Sequence, residues 1–436
     1  MAIKAPEGTK DLLPREALFW TKFQAKAAEV FGRYGYQPIA TPIVEQTELF
    51  VRGIGEATDV VSKEMFTALS GENLKRLLEG GTIKQKSRLS LRPEGTAGVV
   101  RAVVEHDMVP QGAAPVKLMY AGPMFRAERP QKGRQRQFHQ VGVECLGAEA
   151  PTVDAEAIIM LMRFYTEVGI PLESMTLLIN SMGCENCRPA YRNAVKDYMD
   201  AHAESLCETC ITRAEVNPLR AFDCKNESCA AVMEGAPRIT DHLCPSCQKH
   251  YAQVKQLLDA AGVAYVEDST LVRGLDYYTR TVFEVQVDNG LGSQNAIGGG
   301  GRYDKLAAEV GGRDTPGLGF ALGYERCVLA LEAAGVDMPE AGACHLFVAY
   351  VEEAGQAPAF NVVQQVRDVG LAAEMDHQGR SVKSQFKLAN KLGARYVVTL
   401  GPDELAAGSA ALRNMETHEE QQVALSDIPR VLSQLV

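Results

Sequence analysis

The chain has 436 residues, of which 46% are hydrophobic and 23% charged, and its formal net charge is −10. This composition is typical of a globular protein, and the length suggests two or three domains. No apolar run approaches membrane-spanning length and the segment Met1–Pro14 lacks the apolar core of a signal peptide, so we expect a cytoplasmic protein without a membrane segment. The acidic charge argues only mildly against nucleic-acid binding, because phosphate contacts need only a local basic patch.

The N-terminal part predicts a helix and then an extended segment. Aromatic and apolar residues recur at near-helical spacing from Pro14 to Tyr34, and Gly35 follows as a stop signal. Pro38 and Pro42 prevent a continuous helix in the next stretch.

Two short antiparallel strands are predicted next, at Val60–Phe66 and Leu89–Leu91, with a polar surface segment between them. The motif RPEGTAG then leads into a helix that Thr96 is placed to cap. A further helix is predicted from Thr152 to Gly169, because acids stand in its first turn and a glycine ends it.

A long cationic hairpin is predicted from Val116 to Gly147. Apolar residues recur with strand-like spacing on both sides of the loop, and a loop this long and charged is usually functional. Arginine, with its planar fork, suits the gripping of polyphosphate, so we interpret the hairpin as a phosphate grip. The alternative is a solvated basic loop. The loop carries Arg126, Arg129, Lys132, Arg134 and Arg136 with a single acid, Glu128.

Eight of the eleven cysteines crowd into one less periodic segment, which we interpret as an insertion. A reducing compartment argues against disulfides. Two CxxC pairs have a separation that resembles zinc ribbons, so the predicted structural zinc site consists of Cys207, Cys210, Cys244 and Cys247. The remaining four thiols could form a second site: Cys184, Cys187, Cys224 and Cys229. The alternative is that all are small buried hydrophobes.

After the insertion, Leu271–Val285 has a strand pattern, and Gly317–Gly335 predicts a strand that leads into a buried helix. A last domain beginning near Ala343 alternates strands and helices, which predicts a compact α/β domain with a mostly parallel sheet.

Five motifs together resemble the histidyl-tRNA synthetases, a family of class II aminoacyl-tRNA synthetases. They occur in the family's order and span nearly the whole chain. They are LRPEGTAG at Leu91–Gly98, FRAERPQKGRQRQFHQVGVECLG at Phe125–Gly147, LVRGLDYYTRTVFEV at Leu271–Val285, GGRYDKL at Gly300–Leu306 and PGLGFALGYERCVLAL at Pro316–Leu331.

The resemblance implies an α+β catalytic domain built on an antiparallel sheet, the class II synthetase fold, with an inserted domain and a C-terminal α/β anticodon-binding domain. It also implies a homodimer that joins L-histidine to tRNA(His) with ATP and Mg²⁺. The expected ranges are 1–180 and 256–335 for the catalytic domain, 181–255 for the insert and 343–436 for the anticodon-binding domain.

In this chemistry an already ionised carboxylate attacks the α-phosphate of ATP, so the enzyme must neutralise charge and align the attack. The resemblance implies that Arg126 contacts the α-phosphate and that Arg273, the main catalytic residue, bridges the carboxylate and that phosphate. The alternatives are an edge-exposed charge for Arg273 and a surface salt bridge for Arg326. The other implied ATP ligands are Glu128 and Phe138 at adenine, and Arg134 and Arg326 at the outer phosphates.

Recognition of histidine requires acceptors for the imidazole N–H groups. On the second hairpin strand, period two puts Gln140, Gly142 and Glu144 on one face, and the small central residue leaves room for a ligand. The candidates for the imidazole ring are Glu144 and Tyr278, those for the α-amino group are Glu94, Thr96 and Gln140, and Tyr277 can also line the pocket.

Three interpretations stay open from the sequence. Lys383, Lys387 and Lys391 form one row on a helix, which is either a solvated face or, by the resemblance, an anticodon-stem contact. A rival function is a catalytically silent relative that regulates the first enzyme of histidine biosynthesis. A weaker one is a zinc-dependent nucleic-acid-binding module in the insertion.

Overall fold

The structure is a computed structural model that describes residues 3–56, 58–224, 226–288, 291, 295–336 and 344–436. The chain divides into two compact units, residues 1–338 and 339–436. The predicted start of the last domain at Ala343 lies outside the described residues. Among the helices of the described part, none is both long and apolar enough to cross a membrane.

The described residues of the first unit form two sheets. Its strands are β1 Gln37–Pro38, β2 Val44–Gln46, β3 Thr67–Ala68, β4 Leu89–Leu91, β5 Val116–Phe125, β6 Gln137–Leu146, β7 Met175–Ser181, β8 Val266–Glu267, β9 Thr279–Val287, β10 Ala296–Arg302 and β11 Gly317–Gly323. Its helices are α1 Pro14–Gly32, α2 Thr47–Ile54, α3 Gly71–Leu78, α4 Thr96–Glu105, α5 Pro151–Val168, α6 Arg188–Ala201, α7 Glu208–Val216, α8 Glu227–Glu234, α9 Pro245–Ala260, α10 Leu306–Glu309 and α11 Tyr324–Ala333.

The large sheet has eight strands in the order β1-β5-β6-β11-β10-β9-β7-β8. The six central strands are antiparallel, and only the edge strands β1 and β8 pair in parallel. The predicted hairpin is confirmed, because β5 and β6 pair continuously from Val116 opposite Leu146 to Phe125 opposite Gln137. The antiparallel sheet expected from the resemblance is therefore present. The smaller sheet has the order β2-β4-β3.

Both faces of the large sheet are covered by apolar side chains. On one face the alternating residues of β6, among them Val141 and Val143, pack with Phe23 of α1, Phe164 of α5 and Val254 of α9. The opposite face packs against α2, α4 and α10. The sheet is thus a rigid platform buried on two sides, and period-two patterning on β6 correctly predicted which side chains face the first core.

The strand predicted at Val60–Phe66 is wrong. Residues Val60–Glu64 form a wide helical turn instead. The hydroxyl of Thr58 accepts a hydrogen bond from the N–H of Val61 at 3.3 Å, and its carbonyl accepts one from the N–H of Ser62 at 2.9 Å. These local bonds outweigh the β-propensity of the adjacent valines.

The strand predicted at Leu271–Val285 begins late, at Thr279. The residues before it form a loop that is held by a side-chain contact and a single backbone contact rather than by strand pairing. Arg220 donates to the carbonyl of Gly274 at 2.9 Å, and the N–H of Asp276 donates to the carbonyl of Ile54 at 3.1 Å. Arg273 therefore lies on a loop and not on a strand.

The cysteine-rich segment has a core of its own, which includes Tyr191, Val195 and Met199. Helix α9 begins in this segment with Cys247 in its first turn, and it ends against α5 with Val254 and Leu258 in the core of the large sheet. The insert and the sheet thus share one continuous helix.

The strands of the second unit are β12 Leu346–Tyr350, β13 Ala373–Met375, β14 Tyr396–Leu400, β15 Ser409–Asn414 and β16 Glu420–Ala424, and its helices are α12 Gln356–Asp368, α13 Val382–Lys391, α14 Pro402–Ala407 and α15 Ile428–Leu435. The described strands form one sheet in the order β13-β12-β14-β15-β16. Strands β13, β12 and β14 are parallel, as the alternating pattern predicted, whereas β14, β15 and β16 pair in antiparallel fashion. The sheet is therefore mixed, because the mixed tail of the sequence adds a hairpin to the parallel part.

Candidate active site

Guanidinium groups from three distant parts of the chain line one cavity of about 220 Å³. Arg126 comes from the start of the hairpin loop, Arg273 from the loop before β9, and Arg326 from the first turn of α11. The same cavity is lined by Glu128, Arg134, Phe138 and Gln140. The structure thus brings together all of the sequence-predicted ATP ligands and two of the predicted histidine ligands, Arg273 and Gln140.

Each of two arginines is fixed by backbone carbonyls. Arg126 donates from Nε to the carbonyl of Pro93 at 3.0 Å, and its guanidinium carbon lies 5.4 Å from the centre of the Phe138 ring. Arg326 donates from Nη1 to the carbonyl of Ala296 at 2.7 Å. The carbonyl of Pro93 orients the Arg126 guanidinium without neutralising its charge, so this charge can attract an anion. The carbonyl of Ala296 fixes the direction of the Arg326 guanidinium in the same way.

The electrostatics of the cavity favour a polyanion. Burial lowers the pKa of the Arg326 guanidinium, and the neighbouring Arg134 and Arg126 lower it further. Like charges held this close in a half-buried site repel each other, so a bound polyphosphate would relieve the repulsion. The position of Arg326 in this cavity argues against the surface salt bridge considered from the sequence.

Glu128 and Arg134 form an ion pair in this structure, with Nε of Arg134 2.6 Å from Oε2 of Glu128. Arg129 and Lys132, at the tip of the hairpin loop, are exposed. The loop is therefore only partly solvated: its base faces the cavity, and its tip faces solvent.

Four other predicted residues form a buried polar cluster beside the cavity. Glu144 has 0% exposure, and its carboxylate accepts hydrogen bonds from Oγ1 of Thr96 at 2.6 Å and from the hydroxyl of Tyr303. Burial raises the pKa of the Glu144 carboxyl well above its ordinary value. The ring of Tyr277 lies 5.7 Å from that of Tyr303 and 4.7 Å from that of Tyr278, and Tyr278 lies 5.8 Å from the guanidinium carbon of Arg273.

Glu94 lies at the N-terminus of α4, where its carboxylate accepts hydrogen bonds from the N–H groups of Thr96 at 2.7 Å and Ala97 at 2.9 Å. Burial raises the pKa of this carboxyl, although the backbone donors oppose the shift. The prediction that Thr96 caps the helix is therefore wrong. Thr96 is the first helical residue, and the carboxylate two positions earlier satisfies the free N–H groups instead.

The space expected above Gly142 is occupied by a protein side chain. A Cβ atom at this position would overlap the ring of Tyr120, which lies on the neighbouring strand. Gly319 on β11 serves a similar purpose, because a Cβ there would overlap the carboxylate of Glu144. The small residues thus admit Tyr120 and Glu144 into the sheet face, and the expected room for a ligand at Gly142 is absent.

Sequence reasoning missed two residues of the site. Tyr303 belongs to the GGRYDKL motif, but no local pattern marks its hydroxyl as a partner of Glu144. Glu284 lies on β9, lines the cavity and forms an ion pair with Arg273 at 2.6 Å. The sequence did contain a signal for Glu284, because it is an acid within the alternating strand pattern TRTVFEV. An acid among the inward-facing residues of a strand needs a partner.

The cysteines group differently from the prediction. The structure forms one cluster from Cys184, Cys187, Cys244 and Cys247 and another from Cys207, Cys210, Cys224 and Cys229, with the sulfur atoms of each cluster within 4.8 Å of one another. The predicted pairing of Cys207 and Cys210 with Cys244 and Cys247 is wrong. The N-termini of α6 and α9 meet in the first cluster and those of α7 and α8 in the second, so sequence spacing alone misassigned the pairs.

The thiol geometry fits a tetrahedral metal. Zinc–sulfur bonds of about 2.3 Å imply sulfur–sulfur separations of about 3.8 Å in a tetrahedron. The observed separations are 3.7 Å for Cys184–Cys187, 3.8 Å for Cys184–Cys244 and 3.9 Å for Cys207–Cys224. Backbone N–H groups lower the pKa of Cys207 and of Cys244 to about 7, which favours the thiolate, whereas burial raises the pKa of the other four shifted thiols of the clusters, Cys187, Cys210, Cys229 and Cys247.

In the second unit, Lys383, Lys387 and Lys391 on α13 are all exposed. No ion pair to another described residue involves them. This fits both a solvated face and an anionic partner.

Comparison with known proteins identifies both units. A family model described as histidyl-tRNA synthetase matches residues 8–327, and one described as an anticodon binding domain matches residues 345–435. The histidine–tRNA ligase of Halothermothrix orenii is 44% identical over 436 residues and 100% of both chains, and that of Anaeromyxobacter dehalogenans is 47% identical over 98% of this chain and 99% of its own.

Among solved structures, the apo histidyl-tRNA synthetase of S. aureus superimposes with a TM-score of 0.81 at 35% identity, covering 99% of this chain and 100% of that one. Family models, relatives and fold agree over nearly the whole length. The chain therefore belongs to the histidyl-tRNA synthetase family.

Proposed function

We propose that this histidine–tRNA ligase first converts L-histidine and ATP to histidyl-adenylate and pyrophosphate, and then esterifies the 3′-terminal ribose of tRNA(His). The observation that carries the proposal is the convergence of Arg126, Arg273 and Arg326 on one cavity beside the buried cluster around Glu144. The first group of residues suits ATP and the second suits the amino acid.

In the first step no strong base is required, since the attacking carboxylate is already ionised at neutral pH. Arg126 and Arg273 hold the α-phosphate and the carboxylate together and neutralise the charge that develops as they react. Arg134 and Arg326 hold the outer phosphates. Mg²⁺ bound to ATP neutralises further polyphosphate charge, and Glu128 and Phe138 hold adenine.

For ATP to bind in this way, the ion pair between Glu128 and Arg134 has to open. Arg134 is 38% exposed but Glu128 only 9%, so the pair opens only where both groups gain new partners. A triphosphate offers the Arg134 guanidinium a new anion, and the adenine amino group donates a hydrogen bond to the freed Glu128 carboxylate.

Histidine is selected by buried polar groups, which an analogue without the imidazole N–H groups would leave without a hydrogen-bond partner. Glu144 and Tyr278 contact the imidazole ring, Tyr277 lines the pocket, and Glu94, Thr96 and Gln140 receive the α-amino group. The Oε1 atom of Gln140 is buried and has no hydrogen-bond partner among the described residues, which supports a ligand-facing role. A site with obligatory polar partners rejects analogues that lack them by about 10⁴-fold.

The two thiol clusters each hold a structural zinc ion. The metal would tie α6 to α9 in one cluster and α7 to α8 in the other, which stabilises a segment with a small core of its own. Both clusters lie outside the proposed active cavity, so the metal contributes to folding and not to the reaction.

The lysine row on α13 contacts the anticodon stem, the ligase acts as a homodimer, and it works in the cytoplasm. These proposals rest on the family. The regulatory alternative is disfavoured because the curated relatives that match nearly the whole chain are named ligases and because Arg126 and Arg273 share one cavity. A nucleic-acid-binding role for the insert stays a prediction.

The experiment is ATP–pyrophosphate exchange with each of the twenty amino acids. Exchange with histidine alone is the expected result. Exchange with another amino acid, or none with well-folded protein, would reject the proposed function. Binding of tRNA(His) by a variant with Lys383, Lys387 and Lys391 changed to Ala then tests the lysine row. Light scattering tests the homodimer.

A further inference from the structure

We infer that Arg220, in the inserted segment, is a positioning residue for histidine activation because it fixes the loop that presents Arg273 and Tyr278. The inference deepens the proposed function and rests on it, since that function assigns Arg273 and Tyr278 to the substrates. It concerns Arg220 alone among the arginines of the insert, because this side chain contacts the middle of the loop.

The middle of the loop has no backbone support of its own. Residues 272–275 make no backbone–backbone hydrogen bond with any described residue. The nearest backbone bonds lie at the two ends, where the N–H of Leu271 donates to the carbonyl of Asp268 at 3.0 Å and that of Asp276 to the carbonyl of Ile54 at 3.1 Å. The position of Arg273 therefore depends on side chains that reach the loop from elsewhere.

Arg220 supplies that contact. Its Nη2 donates both to the carbonyl of Gly274 and to Oδ1 of Asp276, at 2.9 Å in each case. Asn217, three residues earlier, donates to the same Asp276 oxygen at 3.2 Å. The Arg220 side chain is only 17% exposed, so water competes weakly for these bonds and they hold the residue that follows Arg273 directly.

Arg220 is itself held inside the insert. Arg213 of α7 donates to its carbonyl at 3.1 Å, and the N–H of Arg220 donates to the carbonyl of Asn217 at 3.1 Å. At the far end of the loop another arginine of the insert, Arg188, donates to the carbonyl of Tyr278. The insert therefore contacts the loop on both sides of the stretch that carries the proposed substrate ligands.

Packing supports the loop from one side only, where Val272 and Leu275 contact the hydrophobic core. A cavity of about 520 Å³ lies between the insert and the loop, and it is lined by Arg188, Arg220, Arg273, Asp276 and Tyr278. Because this side of the loop borders open space, loss of the Arg220 bonds lets the backbone around Gly274 shift and moves Arg273 relative to its partner Glu284. Such a movement misplaces a catalytic group without removing it.

The test is Arg220→Ala in the full chain, assayed by histidine-dependent pyrophosphate exchange and by direct ATP binding. We expect kcat/KM for histidine to fall about 10-fold to 100-fold, the size of a lost charged hydrogen bond, with a raised KM for histidine. The dissociation constant for ATP should change less than the KM for histidine, by no more than about threefold, because three of the four arginines assigned to the phosphates, Arg126, Arg134 and Arg326, do not depend on the loop. Arg220→Lys, which keeps the charge but not the planar fork, should recover part of the loss.

The matched control is Lys196→Ala, which removes a cation of the same insert that pairs with Asp200 and Glu215 rather than with the loop. This variant should behave as the parent protein does. Partial unfolding of Arg220→Ala would lower kcat alone, through the active fraction, so a raised KM separates positioning from general damage. A KM for histidine within about twofold of the parent in folded Arg220→Ala overturns the inference.

Asp276→Asn approaches the same contact from the loop and serves if Arg220→Ala fails to fold. Its KM for histidine should rise, and in the double variant with Arg220→Lys the two effects should be less than additive, because both act on one contact. Full additivity, or an unchanged KM in Asp276→Asn, overturns the inference. If the parent protein shows histidine-dependent pyrophosphate exchange and these variants have the same KM for histidine, the positioning role fails and the proposed function stands.

Discussion

Arg273 donates from Nη1 to Oε2 of Glu284 at 2.6 Å, and both side chains are about four-fifths buried. The arginine proposed to bridge the two substrates is therefore already oriented by a carboxylate on β9. Burial lowers the pKa of Arg273, but Tyr278 and Glu284 outweigh this effect and the net pKa is raised. The guanidinium is thus charged and aimed before the substrates bind.

Glu284→Gln tests this orientation. The amide keeps an acceptor for Arg273 but removes the charge, so we expect the kcat of histidine-dependent exchange to fall about 10-fold while the fold persists. The control is Glu267→Gln, which removes an exposed carboxylate paired with Lys255. Unchanged exchange in Glu284→Gln would show that Arg273 needs no such partner.

The sequence predicted those parts of the fold that local patterns encode. The hairpin was predicted because β5 and β6 have strand-like spacing on either side of a long charged loop, and α5 because acids and Gly169 mark its ends. The turn at Val60–Glu64 was missed because the hydrogen bonds of Thr58, rather than propensity, decide it. The loop before Thr279 was missed because Arg220, about fifty residues away in sequence, holds it.

The same limit applies to the site. The arginines could be singled out because a charged residue in apolar or glycine-rich surroundings requires a partner or a ligand. The structure shows that they line one cavity. The contact between Glu144 and Tyr303 could not be found in this way, because the pairing of the sheet, and no local pattern, brings the two residues together. The prediction of the thiol pairing failed for a similar reason, because the positions of four helix N-termini determine which cysteines lie together.

Glu144→Gln separates function from stability. Burial raises the folded-state pKa of Glu144 above its unfolded value, so ionisation opposes folding, and the stability of the parent protein without ligand falls as the pH rises from about 4.5 through that raised pKa. The neutral amide removes this loss. Relative to the parent, Glu144→Gln should gain melting temperature at pH 8 but not at pH 4, and its KM for histidine should rise about 10-fold or more.

Thermal melting across pH 4–8 and exchange kinetics check both halves of this prediction. The control is Glu105→Gln, which changes an exposed carboxylate of α4. Glu325 is not used for this purpose because it contacts His139 beside the cavity. An equal change in melting temperature at both pH values would exclude the burial of Glu144 as the cause.

The two thiol clusters predict two zinc ions per chain in protein purified without chelator. Cys207→Ser and Cys244→Ser should each lower the content by one, and the double variant should lose both, because the two residues belong to different clusters. Elemental analysis measures this directly. If Cys207 and Cys244 shared a site, as the sequence spacing suggested, the double variant would lose only one ion. A zinc content below about 0.2 per chain in the parent protein would show that the clusters are thiols without a metal.

The measurement that bears most directly on the central claim is histidine-dependent ATP–pyrophosphate exchange by Arg273→Ala, with Arg313→Ala as the control. Arg313 is an exposed arginine that pairs with Asp107. We predict that Arg273→Ala remains folded and loses about 10²–10³-fold in exchange rate, the usual effect of removing one group that stabilises transition-state charge, while Arg313→Ala keeps the rate of the parent. Exchange by folded Arg273→Ala within about threefold of the parent would contradict the assignment of this arginine to the reacting groups.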